Sequence, residues 1–161
     1  MILAANILSS AVAADEKPYV QSRALSQVMV NEAVTAAAAE CANSGYQVAV
    51  ALVDRAGILQ GFMRNPHAGS HTVDVSIAKA KTAASFKTAT IDMMTNQRLQ
   101  HLKSAPGVLL LGGGVPIQVG GHFYGGIGVS GAPAEKTSGD NDDRCARAGI
   151  EAITEALDFA E

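Results

Sequence analysis

Among the 161 residues, the side chains whose types could do chemistry are four histidines, two cysteines, an aspartate cluster and a serine in a glycine run. His67 and His71 stand at i, i+4 spacing, which on a helix would aim two imidazoles at one metal. Pro66 and Gly69 argue against a helix there, so the pair reads as loop residues, with chelation by the loop as the lesser alternative. His122 opens a strand beside Gly120-Gly121 and is expected to face solvent. Cys41 and Cys145 fit no metal pattern. They read as small buried hydrophobes on helices, with a disulfide or a reactive thiol as alternatives. Asp140, Asp142 and Asp143 stand just before a helix and are expected to cap it and interact with its dipole. Ser130 lies in Gly128-Val129-Ser130-Gly131, which is not a G-x-S-x-G nucleophile motif. Nothing in these patterns demands catalysis, and no metal site is assigned.

Ten of the sixteen glycines lie between Gly107 and Gly131, and Gly126 to Gly131 formally match G-x-G-x-x-G. A dinucleotide loop needs those glycines to leave a strand and enter a helix inside a parallel βαβ unit. Here Gly131 is followed by Ala-Pro-Ala and a polar loop, and no strand follows the last helix. The glycines are therefore read as close backbone approach within a sheet: a crowded sheet under a helix, or the floor of a flat pocket. A phosphate-binding P-loop is excluded, since no Gly-Lys-Ser/Thr is present.

The elements that must position these residues follow from periodicity and punctuation. Residues 21–43 read as a helix stopped by Gly45. "YQVAVALVD" reads as a buried strand and "ILQGFMR" as its hairpin partner across Asp54 to Gly57. Residues 73–86 read as a second helix, and Thr90 as the N-cap of a short helix over 91–102. "GVLLLGG", "VPIQV" and "HFYGGIGV" read as strands, the last two joined at Gly120-Gly121. A polar loop leads to a final helix with Cys145, Gly149, Ile153, Ala156 and Ala160 on one face. The expectation is an α+β fold, a mainly antiparallel five-stranded sheet flanked by helices.

Composition sets the class. With 48% apolar and 17% charged residues the chain is core-forming, and one domain is expected. The net charge of −3 and the lack of a Lys/Arg run speak against nucleic acid. No apolar run approaches the roughly 18 residues of a membrane span. Residues 1–14 have an apolar stretch ending in Ala11-Val12-Ala13, like the back half of a secretory signal, although the basic n-region is missing. A single domain over 15–161, periplasmic or secreted, is the resulting expectation, with a cytoplasmic location as the alternative.

"GGGVPIQVGGHFYGGIGVSGAP" followed by "SGDNDDRCARAGIEAI" resembles the family of GlcG-type proteins of glycolate operons. That family includes the C-terminal domain of propanediol-utilisation corrinoid adenosyltransferases and secreted haem-binding sensor proteins of the HbpS type. "VAVALVDRAGILQGFMR" is similar to the family's first hairpin, and "AKAKTAASF" with Thr90 to its central helix pair. The resemblance spans about residues 22–160. It implies a profilin-like α/β sandwich assembling into symmetric homo-oligomers, octamers or tetramers, with haem as cofactor in several members. By position it marks Lys79, Thr82, Phe86 and Thr90 on the helix pair; Gly113, Gly114, Pro116, Gly126, Gly128 and Gly131 on the sheet; and Asp142 and Gly149 on the last helix. Members commonly carry Pro before the threonine. Here it is Ala89, which leaves the turn less constrained.

Haem binding needs an apolar slot, an axial donor and cations for two propionates. His67 and His71 are the loop donors nearest the marked helix. Behind them stand His101, His122, Met63, Met93, Met94, Tyr124 and the cysteines. Lys79, Lys81 and Lys87 could meet propionates, or simply form a solvated helix face. The expected slot lies between the helix pair around residues 79–90 and a neighbouring subunit. The resulting expectation is an exported haem-binding oligomer, with haem breakdown or haem sensing as the activities open to it. The alternative is an enzyme or accessory protein of small organic acid metabolism, of the glycolate type.

Overall fold

The computed structural model describes residues 18–160. The signal-like segment 1–14 lies outside the described residues.

Nine elements follow in order: α1 (Gln27–Asn43), β1 (Ala49–Asp54), β2 (Leu59–Arg64), α2 (Thr72–Phe86), α3 (Thr90–Thr95), a 3₁₀ segment (Gln97–Ser104), β3 (Gly114–Val119), β4 (His122–Ser130) and α4 (Asp140–Asp158). The four strands form one antiparallel sheet in the order β2-β1-β4-β3. Helices α1 and α4 pack together on one face and α2 covers the other. This is an α+β sandwich with the sheet in the middle.

Strand β1 shows why. It is central, so both of its faces are buried and it reads as an unbroken apolar run. Val50 and Leu52 point into the larger core with Val30, Val34, Ile127, Val129 and Ile153, beneath α1 and α4. Ala51 and Val53 point the other way, to Ala80 and Ala84 of α2. The small residues on that second face let α2 lie close, and β4 completes the fit. A side chain at Gly126 or Gly128 would run into the backbone carbonyls of Ala80 and Ser76. The glycine-rich strand is thus a bed for a helix.

Local signals hold at several boundaries. Ser26 caps α1 by accepting from the Met29 N–H. Gly45, just past its end, has φ +81. Gly120 and Gly121, at φ +56 and +75, turn the β3–β4 hairpin.

The structure corrects the sequence reading in four places. The sheet has four strands, not five: "GVLLLGG" is an extended loop. Its backbone groups are met by side chains of the helices instead of a strand, with the Leu109 N–H donating to Thr82 Oγ1 and the Leu111 carbonyl accepting from Thr90 Oγ1. Thr90 is therefore no N-cap. Ala89 holds that position without a side-chain bond, and Thr90 is the first helical residue. The helix expected over 91–102 breaks after Thr95, and Asn96 caps the 3₁₀ segment by accepting from the Arg98 N–H. Finally, α1 begins at Gln27, six residues later than expected.

Cys41 of α1 and Cys145 of α4 are buried on helices as expected, and they are bonded to each other, with their Cα atoms 5.6 Å apart. The disulfide ties together the two helices of one layer.

Candidate functional site

Helix α2 presents Thr72, Ser76, Lys79, Ala80 and Ala83 inward, so Lys79 enters the core and is only 1% exposed. The expectation of a solvated lysine face fails at this residue, while Lys81 and Lys87 remain exposed. Its ammonium donates to the Val129 carbonyl at 2.9 Å and to Asp142 Oδ2 at 2.7 Å. Asp142 comes from the first turn of α4 and is buried too; its other oxygen accepts from the Ala132 N–H at 2.9 Å. Burial pushes the Lys79 amine down and the Asp142 carboxyl up, and each partner's charge opposes the shift of the other. The glycine-rich motif makes room for this pair. A side chain at Gly113 would strike Asp142 Cβ and the Val129 carbonyl and stand 3.0 Å from Lys79 Nζ.

The aspartate cluster divides its labour. Asp140 stands in the first turn of α4, but it does not cap the helix as expected: Gly139 holds the N-cap position without a side-chain bond, and Asp140 instead ties down the preceding loop by accepting from the N–H groups of Glu135, Lys136 and Thr137. Those bonds hold its carboxyl far below the usual range. Asp142 and Asp143 turn inward instead. Asp143 pairs with Arg147 at 2.6 Å, and its Oδ1 is, among the described residues, a buried oxygen without a partner. Burial pushes the Asp143 carboxyl up.

Three of the cavities around these elements bear on the site. One, of about 280 Å³, opens beside the Lys79–Asp142 pair and is walled by His71, Val75, Leu111 and Ser130. The second, of about 620 Å³, lies at the α2–α3 turn between Lys87, Ala89, Asp92, Pro116, Arg147 and Ile150. The third, of about 410 Å³, runs between α1 and β2 past Ala38, Ala42, Tyr46, Met63 and Arg64.

The residues singled out from sequence are distributed over this region. Lys79 and His71 meet at the smallest cavity. Thr82 and Thr90 are buried and anchor the 109–114 loop; Thr90 Oγ1 also accepts from the Gly114 N–H at 2.9 Å. Phe86 is partly exposed at the end of α2, next to the Lys87 that lines the largest groove. His67 is exposed in the preceding loop and lines none of the three cavities. Met93 is in the core. Among the described residues no three His, Cys, Asp or Glu side chains gather as a metal would require.

Arg147 and the inward role of Asp142 and Asp143 were missed. A usable signal existed. Asp142 falls in register with Cys145, Ala146, Gly149 and Ile153, so a charge sits on the apolar face of α4, as Lys79 does on α2.

Fold and site together define a class: a small α+β sandwich with a glycine-rich sheet under α2, a buried lysine–aspartate pair and a groove at the α2–α3 turn. The chain belongs to the HbpS-like family, whose profile, described as "Haem degrading protein HbpS-like", matches residues 25–151. It is 32% identical over 108 residues to the protein GlcG of Escherichia coli K12, covering 66% of this chain and 81% of that one. The crystal structure of a double mutant of HbpS from Streptomyces reticuli superposes with a TM-score of 0.78 at 36% identity, over 90% of this chain and 97% of that one. A structure described as a haem complex of PduOC superposes with a TM-score of 0.71 at 29% identity, over 81% and 96% of the two chains. No helix among the described residues is long and apolar enough to cross a membrane.

Proposed function

We propose that this protein binds haem in the groove at the α2–α3 turn. The observation that carries the reading is the chemistry of that groove. Its volume, about 620 Å³, is in the range of cofactor pockets. Ala89, Val115, Pro116 and Ile150 supply an apolar wall, and Lys87 supplies a cation for one propionate, with Arg147, which Asp143 already pairs, beside it and the acids Asp92 and Glu151 on the same lining. Lys87 closes α2 in a left-handed conformation, φ +49, which turns the chain toward α3 at the groove's edge. The haem complex of a relative supports the choice of ligand.

No histidine, cysteine, methionine or tyrosine lines this groove. The chain itself therefore provides walls and counter-charges, and a strong axial donor has to come from beyond the groove, such as a second copy in a homo-oligomer. Bound haem would supply iron-centred redox chemistry, and this chain's residues would hold it in place. Haem breakdown or sensing would build on this binding step. Thr90 acts at one remove, by fixing the start of β3, from which Val115 and Pro116 reach the groove. The buried Cys41–Cys145 disulfide supports export to an oxidising compartment.

Titration of the purified protein with haemin, followed by the Soret band, tests the reading. A saturable, shifted band is expected. Lys87→Glu with Arg147→Glu should weaken it at least about tenfold, whereas His67→Ala and His71→Ala should leave it in place. Additive absorbance without saturation sinks the proposal. Light scattering in the same samples reads the assembly state with and without haemin.

A further inference from the structure

The cavity beside Lys79 has no part in the haem reading, since it shares no lining residue with the groove at the α2–α3 turn. Its polar lining nevertheless converges. An ammonium has three N–H donors, and Lys79 spends two, on Val129 and Asp142, which leaves one. Ser130 is 5% exposed and lines the same cavity, and its Oγ has no hydrogen bond among the described residues. The alternation of β4 puts Ser130 on the α2 side, in line with Gly126 and Gly128. His71 stands at the exposed edge, at the start of α2, where its side chain makes no capping bond. A buried ion pair is a weak source of stability compared with apolar packing, so its position in a cavity wall calls for a chemical role.

The chemistry also selects the ligand. Asp142 already balances Lys79 at 2.7 Å, so an incoming carboxylate would meet Asp142. A neutral molecule would not. Val75, Leu111, Ala132 and Ala134 add apolar wall, beside the backbone of Gly131 and Gly139 and the exposed Ser138, and about 280 Å³ leaves room for a ligand of a few carbons.

The geometry points to a second site on this chain, in which a small neutral aldehyde or ketone enters the cavity and is captured by Lys79 as an imine, with Asp142 carrying the proton and Ser130 donating to the carbonyl oxygen. Asp142 takes one proton from the ammonium, which frees the amine lone pair to form the N–C bond. The carbonyl π pair moves onto oxygen as the N–C bond forms, and a second proton passes from the attached nitrogen to that oxygen through the Ser130 hydroxyl, giving the neutral carbinolamine. Asp142 returns its proton to that hydroxyl, the C–O bond breaks and water leaves. The product is a protonated imine, so the lysine keeps its single positive charge, and no oxidant or reductant is consumed. Burial supports the step by lowering the proton affinity of the Lys79 amine.

Reductive trapping distinguishes this site from a structural ion pair. The full-length protein is incubated with acetaldehyde, and separately with acetone, in the presence of cyanoborohydride, and lysine alkylation is mapped by peptide mass spectrometry. Lys79 should be alkylated ahead of the exposed Lys81, Lys87, Lys103 and Lys136. Ser130→Ala, which keeps the ion pair, should slow alkylation at Lys79 alone. A folded Asp142→Asn variant should slow it by about a hundredfold, the low end for loss of a positioned proton carrier. Modification of the exposed lysines with Lys79 spared, the pattern set by solvent access, overturns the proposal. So does Lys79 labelling that is indifferent to both substitutions. Neither result decides the haem reading, since Lys79, Ser130 and Asp142 do not line that groove.

Discussion

Lys79 Nζ and Asp142 Oδ2 lie 2.7 Å apart with both side chains inside the protein, joining α2 on one face of the sheet to α4 on the other. Each charge is tolerable only because the other is present. Removing one partner, as in Lys79→Met or Asp142→Leu, should cost about 3–5 kcal/mol in urea unfolding, the usual penalty for a buried unpaired charge. The double substitution Lys79→Met/Asp142→Leu should recover most of that loss. A double variant as unstable as the sum of the singles would show that the two residues are not coupled.

Thr90 should behave as a brace for the loop beside it. Its hydroxyl donates to the Leu111 carbonyl at 2.7 Å and accepts from the Gly114 N–H at 2.9 Å. Thr90→Val keeps the shape and removes both bonds, so about 1–3 kcal/mol should be lost. Thr90→Ser should retain most of it. Amide exchange should quicken at residues 109–114 in the valine variant, and equal protection in the two variants would refute the brace.

The Cys41–Cys145 disulfide closes a long loop, with a sequence separation of 104. Replacing both cysteines by alanine should lower stability by about 3–5 kcal/mol. Reductant should lower the melting temperature of the native protein and leave that of the double variant unchanged.

Acid should act through Asp140. Its folded carboxyl is held well below the ordinary value by the N–H groups of Lys136 and Thr137, so the folded state binds a proton less readily than the unfolded chain. Its contribution is therefore fully present above the unfolded aspartate range and is lost as the pH falls through that range toward the depressed value. Asp140→Asn should flatten this part of the acid limb of a stability-versus-pH curve. An identical limb in the variant would assign the acid sensitivity elsewhere.

Much of the architecture was legible in the chain itself because its signals are local. The helix over 73–86, the hairpin across Asp54 to Gly57, and the Gly120-Gly121 turn each depend on residues a few positions apart, and each stands within a residue or two of its expected place. The reading of Gly126 to Gly131 as close approach in a sheet, not a nucleotide loop, rested on flanking sequence, and α2 lies where that reading needs a backbone. The motifs "GGGVPIQVGGHFYGGIGVSGAP" and "AKAKTAASF" carried the family, which the profile match over residues 25–151 shows.

Only the tertiary structure decided the rest, because those features depend on partners far along the chain. "GVLLLGG" has strand-like composition, yet Thr82 and Thr90 satisfy its backbone, and no local pattern announces that competition. Lys79 and Asp142 are 63 residues apart in sequence. An apolar helix face bearing one charge, as Asp142 does on α4, hints that a partner exists, but it does not say that the partner is Lys79 of α2. The same holds for Cys41 and Cys145, which are compatible with burial, bonding or reactivity until α1 and α4 are seen packed side by side. Periodicity along one helix specifies the face that is buried; the identity of what meets it is settled only when the layers close.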